Sequence, residues 1–275
     1  MPEGDTIFRA AAALHRTMAG DRVVRFETGF AHLARVHDDG PITGRTVERC
    51  ESMGKHLLIW LTGDLVLRTH MRMNGSWHLY RPGEGWQRPA SDMRVRLDTA
   101  AWVAVAFNVP VAEFLHGRDI PRSKALATLG PDFLSATFDR AEALRRLGAA
   151  GARPIAEALL DQRVVAGIGN VFKSEVLFLC GIHPDRPASA ITDAERATLI
   201  DTAALAMRAN IRPDAGAGIV TYRGLRRTTR QARPSDQLWV YGRSGKPCRR
   251  CGTVIESSKR GTDARATYWC GRCQR

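Results

Sequence analysis

Residues 161–175 read DQRVVAGIGNVFKSE and predict a helix, a turn with two glycines and a second helix. Glycines let the backbone approach a bound ligand closely, and the second helix presents free N–H groups and the positive end of its dipole. The pattern places Asn170 at or near the N-terminus of this second helix. A plain glycine-rich corner between two helices would have the same pattern, so the stretch alone leaves both interpretations open.

The sequence on either side of this turn also favours helices. Helical spacing of apolar residues begins near residues 138 and 154, and a longer helix follows from residue 191. Thr192 and Glu195 have the spacing of a capping box, in which each side chain satisfies a backbone N–H of the first turn. Residues 211–235 have no clear period and are rich in Gly, Pro and Arg, so we expect a mobile loop there.

The first part of the chain has a different sequence pattern, with one helix followed by several strand-like segments. Residues 5–18 predict an amphipathic helix with Asp5 as its cap and Gly20 as its end. Short strand-like segments follow near residues 22, 44, 56, 65, 93 and 102, separated by turn signals. The pattern predicts an α+β protein with an N-terminal β-sandwich and flanking helices over residues 1–120, a linker over 121–136, a helical domain over 137–235 and a last unit over 236–275.

Four cysteines near the C-terminus form two CxxC pairs separated by eighteen residues: Cys248, Cys251, Cys270 and Cys273. Four thiolates at this spacing favour a closed tetrahedral zinc site, and a full set of protein ligands makes such a site structural. Disulfides or unrelated thiols are the alternative, which a cytosolic setting disfavours. Cys50 and Cys180 lie elsewhere and are interpreted as ordinary thiols.

The charge of the chain points to a polyanion as partner. Lys and Arg together number 41 against 28 Asp and Glu, a formal net charge of +13, with basic residues concentrated between 222 and 252. Such an excess of positive charge favours nucleic acid as the partner. No apolar run has membrane-spanning length and no signal peptide is evident, so we expect a cytoplasmic protein without a membrane partner.

Two further stretches gain meaning if the partner is DNA. HMRMNGSW, residues 70–77, carries two methionines around an arginine in a polar setting; a methionine is usually a core residue, but an exposed one can wedge between base steps. Arg265 lies five residues before the third cysteine, where a basic flank makes it a candidate phosphate contact.

Taken together, MPEG at the start, SMGKHL around Lys55, HMRMNG, LLDQRVVAGIGNVFKSE and the four-cysteine end resemble the Fpg/Nei family of DNA glycosylases along essentially the whole chain. The closest similarity is to the endonuclease VIII (Nei) branch and its actinobacterial members. The resemblance implies a helix–two-turn–helix element around residues 161–175 and a zinc finger at the C-terminus.

The resemblance also implies roles for single residues. Met1 would be removed, Pro2 would be the nucleophile, Glu3 the assisting acid and Lys55 a lysine required for glycosylase work. Lys55, His70, Asn170 and Arg265 would hold phosphates beside the lesion, and Met73, with Arg72, would fill the gap left by a flipped nucleotide. The four cysteines would hold one structural zinc ion.

The implied reaction is removal of oxidised pyrimidines from damaged DNA through a proline Schiff base, followed by β,δ-elimination, in a monomeric enzyme near the bacterial nucleoid. The PEGDT start and the absence of a TTLRDF-type segment favour pyrimidines over formamidopyrimidines and 8-oxoguanine. That purine activity, or a zinc-containing DNA-binding protein without catalysis, is the alternative. Two residues depart from the family pattern. Thr6 stands where some relatives have an acidic residue, which questions the role of a second carboxylate. Asn74 stands where some relatives have an aromatic residue next to the intercalating wedge.

Overall fold

A computed structural model describes residues 2–212, 219–222, 237–260 and 265–275. Two compact units share these residues, Met1–Thr128 and Leu129–Arg275. The division falls inside the stretch 121–136, which the sequence analysis assigns to a linker. Most of the loop expected at 211–235, and Met1, lie outside the described residues.

The first unit combines strands with three α-helices among its described residues. In chain order they are α1 (Gly4–Met18), β1 (Arg25–Thr28), α2 (Ala31–Asp39), β2 (Val47–Met53), β3 (His56–Leu61), β4 (Leu65–His70), β5 (Ser76–Tyr80), β6 (Met93–Asp98), β7 (Val103–Phe107), β8 (Val111–His116) and α3 (Lys124–Ala127).

Two antiparallel four-stranded sheets form the predicted sandwich. Their strand orders are β1-β6-β7-β5 and β2-β3-β4-β8. One core cluster contains inward side chains of both sheets, such as Leu97 and Ala104 from the first and Ile59 and Leu67 from the second, and α1 adds Leu14 to it. Because side chains alternate along a strand, the opposite face of β3 and β4 is left to His56, Arg68 and their neighbours.

The sequence predicted the bounds of α1 to within one residue but assigned its N-cap to the wrong residue. The helix begins at Gly4 with Glu3 at the N-cap position, so the prediction that Asp5 caps the helix is wrong. Asp5 lies inside the first turn instead. The helix α2 and the strands β5 and β8 were not predicted, because none of them shows enough apolar periodicity to stand out from a loop.

The second unit is helical before it becomes a small hairpin. Its described elements are α4 (Arg140–Gly148), α5 (Ile155–Leu160), α6 (Asn170–Leu179), α7 (Asp193–Asn210), β9 (Glu256–Arg260) and β10 (Arg265–Trp269). The capping box of α7 is present as predicted, with Thr192 accepting from the Glu195 N–H and Glu195 accepting from the Thr192 N–H. Across the described part of the chain, no helix is both long and apolar enough to cross a bilayer.

Candidate nucleic-acid-processing site

The start of α1 holds the predicted catalytic pair. Pro2 is half-buried, and Glu3 is fully buried at the N-cap position, where its carbonyl oxygen accepts a 3.0 Å hydrogen bond from the Ile7 N–H. A helix N-terminus presents unpaired N–H groups and the positive end of the dipole. An acid and the residue before it therefore lie at the positively polarised end of α1.

A second carboxyl group is buried in the same helical turn. Asp5 is inaccessible to solvent and accepts hydrogen bonds of 3.3 Å from the Thr6 hydroxyl and 3.3 Å from the Arg9 guanidinium. Burial raises the pKa of Asp5, while Arg9 and the hydrogen bonds with Thr6 oppose that rise. Thr6, which stands at the position where some relatives have an acidic residue, therefore donates to the carboxylate of Asp5.

Lys55 lies in the tight turn between β2 and β3, next to Gly54, whose φ of +59° favours glycine. The turn brings its ammonium group close enough to His70 to help lower the pKa of that imidazole. Lys55 and His70, predicted separately from the sequence, therefore belong to one end of the second sheet.

The 71–75 loop joins β4 to β5. Its two methionines have opposite surroundings, because Met71 is 2% exposed and packs in the core whereas Met73 is 60% exposed. The Gly75 N–H closes the loop by donating a 2.9 Å hydrogen bond to the Met71 carbonyl oxygen. Arg72 takes a left-handed conformation with φ of +47°. The loop therefore presents Met73 to solvent, as expected of a wedge.

His70 is fixed to the beginning of this loop. Its Nδ1 accepts a 3.1 Å hydrogen bond from the Arg72 N–H. Burial lowers the pKa of His70 to about 4, helped by the nearby cations Arg72, Lys55 and Arg68. The imidazole is neutral at physiological pH, and with Nδ1 accepting, its proton resides on Nε2.

In the second unit, Gln162 braces the two-glycine turn. Its amide nitrogen donates to the carbonyl oxygens of Leu160 (2.9 Å) and Ile168 (3.1 Å), and its amide oxygen accepts from the Gly167 N–H (3.0 Å). Gly169 then caps α6, which begins at Asn170. The predicted helix–turn–helix and the position of Asn170 agree with this geometry.

A buried lysine ties Asn170 to the C-terminal hairpin. The Lys173 ammonium is 1% exposed and donates hydrogen bonds of 2.6 Å to both Asn170 Oδ1 and Thr267 Oγ1. Asn170 Nδ2 donates a 2.6 Å bond to the Ala266 carbonyl oxygen. Arg265 precedes Ala266, so the structure brings the two predicted phosphate contacts of this unit together.

Glu175, five residues after Asn170 on α6, is also buried and anchors the start of the last segment. Its carboxylate accepts from the N–H groups of Trp239 (2.8 Å), Val240 (2.9 Å) and Tyr241 (2.8 Å), and from the Thr221 hydroxyl. The sequence assigned no role to Lys173 and none firmly to Glu175. Two charged residues inside the largely apolar helix α6 were the available signal.

The four cysteines predicted as ligands form one cluster. Their sulfur atoms all lie within 4.8 Å of one another, with 3.9 Å between Cys248 and Cys273 and 3.5 Å between Cys251 and Cys270. A tetrahedral zinc ion with Zn–S bonds of about 2.3 Å separates its sulfur ligands by about 3.8 Å. The set fits one structural zinc ion, and the separations are too long for the disulfides that the sequence left open.

The predicted site residues thus fall into two groups. One group lies in the sandwich unit: Pro2, Glu3, Lys55, His70, Arg72 and Met73. The other lies in the second unit: Asn170, Arg265, Cys248, Cys251, Cys270 and Cys273.

Comparison with known proteins accounts for nearly the whole chain. Three family profiles match in order: the formamidopyrimidine-DNA glycosylase N-terminal domain over residues 1–110, its H2TH domain over 129–222, and a zinc finger found in Fpg and isoleucyl-tRNA synthetase over 245–275. A probable endonuclease 8 2 of Streptomyces coelicolor is 40% identical over 277 residues, covering 100% of this chain and 94% of the relative. The chain belongs to the Fpg/Nei family of DNA glycosylases and abasic-site lyases.

Other Fpg/Nei proteins extend this similarity. The DNA-(apurinic or apyrimidinic site) lyase Nei2 of Mycolicibacterium smegmatis is 36% identical over 275 residues, covering 100% of this chain and 99% of the relative. Lactococcus lactis Fpg, in a crystal structure bound non-covalently to DNA with an abasic site, superposes with a TM-score of 0.83 at 22% identity and complete coverage of both chains. That structural likeness shows the Fpg fold, including the sandwich, the helical element and the four-cysteine finger.

Proposed function

We propose that this Fpg/Nei protein acts in base excision repair as a DNA glycosylase and abasic-site lyase on oxidised pyrimidines, with Pro2 as nucleophile. The observation that carries the proposal is the buried carboxyl group of Glu3, which follows Pro2 directly at the beginning of α1. This places a carboxyl group next to Pro2, whose nitrogen becomes a secondary amine once Met1 is removed.

Removal of Met1 converts Pro2 into a free secondary amine. An α-amino group has a pKa of roughly 8, against about 10.4 for a lysine side chain, so a useful fraction is unprotonated near neutral pH. The adjacent helix dipole favours that neutral form. The nitrogen lone pair attacks C1′ of the damaged nucleotide, the bond to the base breaks, and the departing base takes a proton.

Glu3 is the group that we expect to supply a proton to the sugar. Its carboxyl group protonates the ring oxygen as the sugar opens, while the nitrogen loses its proton and forms a positively charged iminium with C1′. The iminium acidifies the C2′ protons. Loss of one of them expels the 3′ phosphate, a second elimination expels the 5′ phosphate, and hydrolysis of the iminium restores Pro2.

Phosphate binding positions the lesion for this attack. The ammonium group of Lys55 and the Nε2–H of His70 donate to phosphates from the sandwich unit, and Asn170 and Arg265 do so from the second unit. A base within a duplex must be flipped out before its sugar can be reached. Met73, exposed at the tip of the 71–75 loop, fills the space that the nucleotide leaves.

The pyrimidine preference is supported by two features of the sequence. The chain begins PEGDT, and the region 215–237 has no TTLRDF-type segment; residues 215–218 and 223–236 of it lie outside the described residues. We therefore expect thymine glycol and 5-hydroxyuracil to be excised faster than 8-oxoguanine. As a monomer the enzyme would need no second chain to complete this set of residues.

Borohydride trapping tests the chemistry. Tag-free enzyme incubated with an abasic-site duplex and borohydride should form a covalent complex, and peptide mass spectrometry should place the reduced adduct on Pro2. A variant with one alanine inserted between Met1 and Pro2 should not trap. An adduct on another residue would refute the Pro2 assignment, and binding without any trapping or strand scission would favour the non-catalytic alternative.

Single-turnover rates on matched duplexes test the substrate. Thymine glycol, 5-hydroxyuracil and 8-oxoguanine are placed in one sequence context, and the rates are compared at equal enzyme excess. Lys55→Met should lose excision of all bases, while Lys124→Met, at an exposed lysine of the same unit, should not. A faster rate on 8-oxoguanine would overturn the pyrimidine assignment.

A further inference from the structure

An arginine on the outer face of the second sheet is buried without belonging to the proposed mechanism. Arg68 on β4 is 6% exposed. Its Nε donates a 2.7 Å hydrogen bond to Glu113 Oε1 on β8, the residue directly opposite it in the register. Long charged side chains are seldom this buried unless they are paired, and Arg68 is paired with Glu113.

The same guanidinium reaches the neighbouring strand. Arg68 Nη1 lies 2.9 Å from His56 Nδ1 on β3. Because a guanidinium can only donate, Nδ1 of His56 must accept, and the neutral ring carries its proton on Nε2. Arg68 therefore sets both the orientation and the tautomer of His56.

His56 in turn supports His70. The two residues face each other across β3 and β4, and their rings meet edge to face with centroids 4.8 Å apart and an angle of 71° between the ring planes. Edge-to-face contacts of this kind fix the plane of each ring. On its other side, His70 Nδ1 accepts the Arg72 N–H at the left-handed turn of the 71–75 loop.

We infer that Arg68 is a positioning residue for His70 and for the loop that carries Met73, acting through His56. This inference rests on the proposed function in one respect: it assumes that His70 and Met73 contact DNA. The contacts run in one line from Glu113 through Arg68 and His56 to His70.

Burial is the main reason why both imidazoles stay neutral, and charges along this line add to its effect. Burial lowers the pKa of His56 to about 3, with His70 and Arg68 adding to the effect. The charged or titratable groups that face the two rings are Lys55 from the β2–β3 turn, Arg68 and Arg72 from β4 and its loop, and Glu113 through Arg68. Protonated Nδ1 of His70 could not accept the Arg72 N–H, so protonation would release the loop.

The test compares Arg68→Met with the wild-type enzyme over pH 5.5 to 8. Without the charge of Arg68, we expect the pKa values of His56 and His70 to rise part of the way towards the ordinary value of about 6.5, because both rings remain buried. The ratio of variant to wild-type single-turnover rates should therefore fall as pH is lowered, by about twofold at pH 5.5. Titration of Pro2 affects both proteins and cancels in the ratio.

Two controls separate positioning from general damage. Arg49→Met removes an exposed arginine that stacks on Trp60, from a strand of the same sheet, and its rate ratio should stay flat with pH. Glu113→Gln keeps the Arg68–His56 bond and should give a smaller effect. A ratio for Arg68→Met that is lowered equally at every pH would mean a structural role only and would overturn the inference.

Nitrogen NMR of the histidine rings provides a readout that does not depend on activity. In wild-type protein both His56 and His70 should carry the proton on Nε2 and remain neutral at pH 5.5. In Arg68→Met the pKa values of both rings should be higher than in wild type, and His56 should no longer be restricted to the tautomer with the proton on Nε2. If neither ring changes its titration, the inference fails even if the enzyme is active, whereas an inactive wild-type enzyme with the expected ring states would count against the proposed function alone.

Discussion

Asn170 and Ala266 are joined by a 2.6 Å hydrogen bond between a side-chain amide and a backbone carbonyl oxygen, although 96 residues separate them in the chain. The bond connects the N-terminus of α6 to the hairpin strand β10. Lys173 adds two hydrogen bonds to the same connection, one to Asn170 and one to Thr267. These hydrogen bonds join the start of α6 to β10, so they help to position both proposed phosphate contacts, Asn170 and Arg265.

Lys173→Met should weaken binding to a duplex with a stable abasic-site analogue by roughly tenfold. The change leaves buried oxygens of Asn170 and Thr267 without their donor, at a cost of about 1–3 kcal/mol for each group. Lys246→Met, at an exposed lysine in the same unit, is the matched control and should bind normally. Fluorescence anisotropy at fixed salt measures both, and equal affinities would show that Lys173 does not position Asn170.

Removing zinc should reduce DNA binding and thermal stability together. Structural zinc contributes directly to folding free energy, and here the ligands Cys270 and Cys273 follow directly on β10. Elemental analysis should find one zinc per chain, and a chelator should lower both Tm and affinity until zinc is restored. Cys180→Ser, outside the cluster, should keep its zinc. Unchanged binding by zinc-free protein would contradict the coupling.

The two methionines of the 71–75 loop should behave oppositely when changed to alanine. Met71→Ala should lower the free energy of unfolding by about 2–5 kcal/mol, because Met71 is a core side chain. Met73→Ala should change it by less than about 0.5 kcal/mol, because Met73 is exposed. Denaturant titration measures both. Excision should nevertheless slow in Met73→Ala, and a normal rate there would remove Met73 from the mechanism.

Stability should decline in mild acid because of two histidines. The folded-state pKa values of His56, about 3, and His70, about 4, lie below the ordinary value of about 6.5. Between about pH 4 and 6.5 the unfolded chain binds more protons, so the free energy of unfolding falls as pH falls; above this window the two groups contribute no slope.

His56→Asn checks this prediction. Asparagine retains an acceptor for Arg68 but does not titrate. Denaturant unfolding at several pH values should show a shallower loss of stability for this variant than for wild type between pH 6.5 and 4. Identical slopes would mean that His56 is already protonated in the folded protein.

Local patterns in the sequence sufficed for several parts of this structure. The capping box of α7, the four cysteines and the turn before Asn170 each depend on residues close in the chain or on strict ligand chemistry. The strands β5 and β8 were missed because their sequences show too little apolar periodicity to stand out from a loop. Asp5 was misassigned as a cap because its type suits a cap, while the backbone places Glu3 there.

The supporting residues were harder to predict than the proposed catalytic ones. Lys173 and Arg68 look like ordinary surface cations in a chain with 41 basic residues. Their importance arises from contacts with Thr267 and His56 that only the folded register creates. A charged residue within an apolar run marks such positions but does not reveal its partners.

The short closure between Gly75 and Met71 has an evolutionary consequence. The hydrogen bond that closes the loop uses only main-chain atoms. Substitutions at positions 73 and 74 therefore leave the ends of the two strands in place. The side chain that we propose to enter the duplex can therefore change without a change in the sandwich. A side chain at position 75 would end that freedom, since its first carbon would meet the Met71 carbonyl oxygen at 2.6 Å.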